Sequence, residues 1–321
     1  MDAFDELDLA IVHALQIDAR APWTRVAAAT GADPATVARH WQALREASLA
    51  WLTAWPTPER WSSTTDIAVV LLDRSTTPER IDELARLSWV LSVDETSAGW
   101  LVLVAGAAGL AALGERVRTL GGFGEVHRAD IAAAIPAEDS GWRLRVLSRA
   151  QQRTLSAPPR DAEARPPRPE VVAELAEALE EDPRMPAAAL GVALGVSEAT
   201  ARRTVERAVA AGVLRLGCDL AMPAAGYRRG AVLWGRAADV EAAAARAVQL
   251  PEAHRVGILV SGAPLFVCIR ARSLTELPRI EQAWGAELEL SERWTVLREV
   301  KRNGHLLDAE GRSTARVPVR W

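Results

Sequence analysis

Two groups of hydroxyl and guanidinium side chains in this chain have the spacing of a recognition surface. Thr36, Arg39 and His40 stand three and four positions apart, as do Thr200, Arg203, Thr204 and Arg207, with Arg202 at the flank of the second group. Side chains at those intervals share one face of an α-helix. Around the first group, Val37, Trp41 and Leu44 occupy the opposite face and are expected to point inward. A guanidinium is a fixed fork of donors that matches a guanine edge or a phosphate, and a hydroxyl both donates and accepts. A helix carrying such a face fits the major groove of duplex DNA.

Catalytic chemistry finds less support. The five histidines, His13, His40, His127, His254 and His305, are scattered without metal-ligand spacing, and no phosphate loop ending in Gly-Lys-Ser/Thr is present. Gly121-Gly122-Phe123-Gly124 follows an expected helix rather than a strand and reads as a stop and turn. The adjacent acids Glu180 and Glu181 belong to a solvated helix surface. Cys218 and Cys268 form neither a disulfide framework nor a metal motif, which fits a reducing compartment. The expectation is a protein that is not an enzyme, with no catalytic residue, metal or cofactor.

The elements that would position the two groups repeat along the chain. Gly31 and Gly195 lie 164 positions apart, and the same shift aligns Asp18 with Asp182, Arg20 with Arg184, Pro22 with Pro186, Thr36 with Thr200, Arg39 with Arg203, Ser97 with Ser261 and Leu101 with Leu265. In the first copy Leu7, Ile11, Val12 and Leu15 mark one helix, Pro22 to Thr30 a short second one ended by Gly31, and Asp33-Pro34 opens a third running to about Ala47. The second copy repeats this with Val171, Leu175 and Leu179, then Pro186–Leu194, Gly195, the cap Ser197 and a stop at Gly212. Helix, short helix, glycine turn and capped helix is the order of a helix-turn-helix.

After each three-helix head the period changes to that of strands. Asp66–Leu72, Trp89–Thr96, Trp100–Ala105 and Glu125–Ile135 read as strands, with helices over Pro78–Leu87 and Leu110–Leu120. Ala231–Gly235, Arg255–Val260, Leu265–Ala271 and Glu287–Val300 repeat them, with helices over Ala238–Val248 and Leu274–Trp284. Both runs are βαββαβ. The fold class is therefore α+β, with two winged-helix-like helix-turn-helix domains and two ferredoxin-like domains in tandem. The boundaries fall at 1–60, 61–147, a proline-rich linker over 148–168, 169–225 and 226–321. A βαββαβ sheet carries helices on one face only, so the two sheets are expected to cover each other as an intramolecular pseudo-dimer, with further homo-oligomers open.

A formal net charge of −4 rules out a polycation, so nucleic-acid binding must rest on local basic faces. Residues 182–215 hold five Arg against three acids, and residues 18–51 hold four against three. The longest apolar runs, Trp100–Leu113 and Met185–Val196, fall short of the roughly 20 residues that span a bilayer. With the acidic opening residues, this places the protein in the cytoplasm, off the membrane. Trp51, Trp55 and Trp61, which follow the first head, read as core.

The stretches ELDLAIVHALQIDARAPWTRVAAATGADPATVARHWQALREASL and RPEVVAELAEALEEDPRMPAAALGVALGVSEATARRTVERAVAAGVL both resemble the opening of the Lrp/AsnC (leucine-responsive regulator/AsnC) family of bacterial regulators. With the βαββαβ runs, the resemblance covers nearly the whole chain twice. It implies a transcription regulator that binds double-stranded DNA through Thr36, Arg39, His40, Thr200, Arg202, Arg203, Thr204 and Arg207. It also implies a small effector such as an amino acid near the turns Ser97-Ala98-Gly99-Trp100 and Ser261-Gly262-Ala263, although neither turn carries the acid common in the family. Siroheme decarboxylases resemble the same two-unit architecture; there the comparable residues are His254-Arg255 and Arg228-Arg229, without the expected Tyr/His clusters.

Overall fold

The computed structural model describes residues 4–57, 66–106, 109–134, 142–155, 165–284 and 288–320. They form two compact units, residues 1–63 with 144–220, and residues 64–143 with 221–321. Among them no helix is long and apolar enough to cross a membrane. The 60/61 boundary, Trp61, Ile135, Glu287 and the centre of the linker lie outside the described residues.

In the first unit α1 (Glu6–Ile17), α2 (Trp23–Thr30) and α3 (Pro34–Glu46) make one head, followed by strand β1 (Ala50–Pro56). Ile11, Leu15, Val26, Val37 and Leu44 meet at its centre and are fully buried. The second head has α7 (Pro169–Ala178), α8 (Ala187–Leu194), α9 (Glu198–Ala210) and strand β6 (Leu214–Leu220), around Val172, Leu175, Leu190, Ala201 and Ala208. Strands β1 and β6 were not expected. They pair antiparallel, Ala50 against Leu220 through Pro56 against Leu214, and so join the heads. Trp51 is buried on β1 and Trp55 half-buried.

The linker reading needs correction at its start. Arg149–Leu155 is a helix, α6, which lies on α1 and α2. Leu155 and the preceding Leu144 and Leu147 are buried. The sequence RAQQRTL has one large apolar residue in seven, so no period betrays the helix. Its anchors are that leucine and two more upstream.

The second unit repeats the order βαββαβ. The first run is β2 (Asp66–Leu72), α4 (Pro78–Ala85), β3 (Val90–Thr96), β4 (Trp100–Gly106), α5 (Leu110–Leu120) and β5 (Val126–Ala134). The second is β7 (Arg229–Arg236), α10 (Val240–Val248), β8 (Ala253–Val260), β9 (Leu265–Ala271), a 3-10 turn leading into α11 (Leu277–Trp284), and β10 (Glu289–Arg302). Two short strands, β11 (His305–Leu307) and β12 (Ser313–Arg316), extend beyond the expected elements. The strands run in the order β3-β4-β2-β5-β8-β9-β7, and β10 pairs with both β7 and β3, so the sheet closes into a ring.

Closure explains the apolar runs. Strands buried on both faces need not alternate. Val70, Val102 and Val104 face the cluster under α4 and α5, while their neighbours Val69, Leu101 and Leu103 join Val232, Trp234, Leu259, Phe266 and Cys268 inside the ring. Removing this apolar surface from water is the main term holding the two halves together.

Candidate nucleic-acid interface

The two third helices are set by the same devices. Gly31 and Gly195 end α2 and α8 with φ of +75° and +66°; a Cβ would meet nothing within 4 Å at either, so the backbone angle rather than space selects glycine. Asp33 then caps α3, its carboxylate accepting from the Ala35 N–H at 2.8 Å and the Thr36 N–H at 3.4 Å. Ser197 caps α9, its Oγ accepting from the Thr200 N–H at 3.2 Å. Val37, Trp41 and Leu44 are buried as expected, and Ala201, Val205 and Ala208 do the same for α9.

This leaves Arg39 exposed on α3, and Arg202, Arg203 and Arg207 exposed on α9. Among the described residues none of these four guanidinium groups makes an ion pair or hydrogen bond, which leaves each fork open to an external anion. Thr36, Thr200 and Thr204 are half-buried. The Thr204 hydroxyl donates to the Thr200 carbonyl at 2.8 Å, and the Thr200 and Ser197 hydroxyls lie 2.8 Å apart, so both threonines also serve their own helix.

His40 departs from its expected role. Its Nδ1 lies 2.8 Å from Asp8 Oδ1 and 3.9 Å from Asp5 Oδ2, which ties α3 to the start of α1. The two acids already form a reciprocal cap there, the Asp8 N–H donating to Asp5 and the Asp5 N–H to Asp8. Asp8 is almost fully buried, and a buried carboxylate needs a partner. The matching positions of the second head are Val172 and Thr204, where no such demand arises. The periodicity of α3 could not reveal this, because the partner lies 32 residues away.

Two further residues, singled out above only as a repeat match, hold the heads against each other. The Arg20 guanidinium donates to the carbonyls of Pro183 and Met185 at 2.6 and 2.8 Å. Reciprocally, Arg184 donates to the Ala19 carbonyl at 2.9 Å and stacks 4.0 Å over the Trp23 ring. With the β1–β6 ladder, these contacts place α3 and α9 in one compact unit.

The turns named for an effector are closed on themselves. Thr96 Oγ1 donates to the Gly99 carbonyl at 2.7 Å and accepts from the Ala98 and Gly99 N–H groups at 3.2 Å. Ser97 exchanges hydrogen bonds with the Thr295 backbone, and the buried Trp100 donates its Nε1–H to the Thr76 carbonyl at 3.1 Å. In the other turn Ser261 Oγ donates to the Ala263 carbonyl and accepts from its N–H, while Arg236 covers the Gly262 carbonyl. Hairpin chemistry accounts for these groups.

A second polar centre lies in the sheet unit. Asp94, Arg270 and Arg302 are buried between strands, with Arg270 Nη2 2.5 Å from Glu299 Oε1 and 3.6 Å from Asp94, Arg302 Nη1 2.6 Å from Glu299 Oε2, and Arg255 3.8 Å from Asp94. Burial pushes the Asp94 carboxyl up to about 6 despite Arg270 beside it. Burial also opposes the Glu299 charge, but Arg270 and Arg302 hold its carboxyl well below the usual range. The neighbouring His254 is driven well below the usual imidazole value, first by burial and then by Arg270 and Arg255. Its Nδ1 is sealed from solvent without a hydrogen bond. Trp142 meets both His254, at 6.3 Å, and Tyr227, at 5.0 Å, edge-on.

Residues 4–45 match the family model of the AsnC-type helix-turn-helix domain. No curated protein sequence matches the chain. Among solved structures the chain is similar to the siroheme decarboxylase NirDL in complex with an iron-uroporphyrin III analogue, at 13% identity, 93% of each chain covered and a TM-score of 0.58. A second NirDL structure gives 15%, 93% of each chain and 0.51. Escherichia coli AsnC aligns with 43% of this chain and 97% of its own, at 18% identity and a TM-score of 0.36. The NirDL likeness is one of fold.

Proposed function

We propose, from the AsnC-type helix-turn-helix domain that this chain carries at residues 4–45, that it is a sequence-specific DNA-binding transcription regulator of the Lrp/AsnC kind, built as two helix-turn-helix domains and two ferredoxin-like domains in tandem. The observation that carries the reading is the set of exposed arginines on two capped helices, Arg39 on α3 and Arg202, Arg203 and Arg207 on α9, within one compact unit. Arginine forks donate to base edges and phosphates, and linking two heads makes the second contact intramolecular. The heads differ: Ala38 and Ala43 face Arg202 and Arg207 across the repeat. An imperfect, asymmetric operator follows, with half-sites about one helical turn or a multiple apart.

Binding to genomic fragments at low ionic strength tests this directly, and indifference to all of them ends the reading. The heads should also be unequal. Replacing Arg203 and Arg207 by Ala should weaken binding more than replacing Arg39, and should lower the slope of log affinity against log salt by about one for each phosphate that is no longer neutralised. Equal losses overturn the ranking.

A second reading is favoured by the polar centre of the sheet unit. Arg255 supplies a cation, and the neutral His254 lies with Trp142 and Tyr227 as aromatic surface for a polycarboxylate macrocycle, while the fold likeness to NirDL spans 93% of both chains. On that reading the chain would be a siroheme-decarboxylase-like enzyme. Titration with an iron tetrapyrrole separates the two: a shifted visible spectrum supports the enzyme, and a flat one removes it.

A further inference from the structure

Six arginines stand on and around β7, β8 and β9 without an acid among them. Residues 220–238 carry Arg228, Arg229 and Arg236, and residues 253–275 carry Arg255, Arg270 and Arg272; neither segment holds an Asp or a Glu. Three of the six serve the fold. Arg236 covers the Gly262 carbonyl, Arg255 lies 3.8 Å from Asp94, and Arg270 is held between Asp94 and Glu299.

The other three are left over. Arg228, Arg229 and Arg272 are exposed, and among the described residues none of them meets a carboxylate. Their contacts are with neutral groups. Arg228 Nε donates to the Pro223 carbonyl at 3.4 Å, Arg229 Nη1 donates to the Arg228 carbonyl at 3.0 Å, and the Arg272 guanidinium lies 5.4 Å over the Tyr227 ring. The acids that bracket the second segment are committed elsewhere, Glu252 to Arg279 and Glu276 to the Ser273 N–H.

Strand pairing gathers the three. Arg229 lies opposite Ala271, and Arg228 and Arg272 are the next residues on the two strands. Like charges across a strand pair repel, so this grouping works against the sheet. Nor does the fold require it. The shift of 164 puts Ser63, Thr64, Thr65 and Ala108 at the positions of Tyr227, Arg228, Arg229 and Arg272, and the first βαββαβ run forms from a sequence neutral at all four.

An acid-free group of exposed guanidinium forks in a chain of net charge −4 is complementary to a polyanion. Such forks donate to phosphate oxygens, and contacts to phosphate hold a duplex without reading its bases. We propose that Arg228, Arg229 and Arg272 bind backbone phosphates of duplex DNA, in addition to those neutralised from α3 and α9. The inference rests on the regulator reading above, which supplies the polyanion.

The full chain, titrated across a series of salt concentrations with a genomic fragment and with an unrelated duplex of equal length, tests it. Arg228→Ala, Arg229→Ala and Arg272→Ala together should weaken both complexes alike, by about tenfold or more at low salt. The slope of log affinity against log salt should fall by about two to three. The same three changes to Lys should keep most of that slope, because a phosphate also accepts a point charge. All three positions are exposed, and a thermal melt checks that the variants stay folded. Affinity and slope untouched by the alanine changes, while Arg203→Ala with Arg207→Ala weakens binding, overturn this proposal and leave the regulator reading standing. A loss confined to the genomic fragment overturns the phosphate role in favour of base contact. If the alanine variant keeps its DNA but no longer binds polyglutamate, the surface belongs to an acidic polypeptide and the proposal falls. An unaltered chain that binds neither duplex ends both readings.

Discussion

At the scale of single residues, side chains of similar type are divided by what surrounds them. Arg39 and Arg203 face solvent, whereas Arg20 and Arg184 of the same repeat donate to carbonyls of the opposite head. Outward position on a helix was legible from spacing, but the partner of His40 was not. His40→Ala strands the buried Asp8 carboxylate and should lower stability by about 1–3 kcal/mol in urea unfolding. The double change Asp8→Val with His40→Thr, which copies the second head, should recover most of that loss. If it does not, the pair has a role beyond satisfying one buried charge. Lys301 offers a pH test. Burial lowers its ammonium to about 7 from the ordinary 10.5, although Nζ still donates to the Leu87 carbonyl. The folded state therefore binds this proton less tightly than the unfolded chain. The penalty is complete below pH 7 and is relieved as pH rises toward 10.5, so stability should climb across that window. Lys301→Met should flatten the climb; an unchanged slope would assign it to other groups.

At the scale of elements, helices with strong caps and strands with apolar runs could be read from the residues alone. The expected strand Leu265–Ala271 and helix Leu110–Leu120 coincide with the observed ones. The caps that mark α3 and α9 carry measurable weight: Asp33→Ala and Ser197→Ala should each destabilise by about 1 kcal/mol, read as a shift in the denaturant midpoint. Elements whose order depends on distant partners escaped. Strand β1, AWLTAWP, and strand β6, LRLGCDL, carry only a weak alternation, and each exists as a strand because the other lies beside it. Helix α6 is the same lesson in α form, ordered by α1 and α2, on which it lies. The polar centre around Asp94 and Arg270 was illegible for a related reason. Its members come from β3, β8, β9 and β10, and no local pattern relates them.

At the scale of the molecule, the reciprocal arginines and the β1–β6 ladder tie the head of α3 to the head of α9. If both helices read DNA as proposed, the chain should be intolerant of half-site spacing. Inserting about five base pairs, half a helical turn, between half-sites should abolish two-headed binding in a gel shift. Arg20→Ala with Arg184→Ala should loosen the heads, so that the penalty for the insertion shrinks while affinity for the correct site falls. Equal penalties in the two proteins would mean the ladder alone sets the spacing.

The ring of strands has its own corollary. Two sheets on separate polypeptides would find each other at a rate and to an extent set by how many copies are present, and would part on dilution. Here β10 reaches both β3 and β7 along a single polypeptide, so the union is unimolecular. A cell holding one copy holds it already assembled.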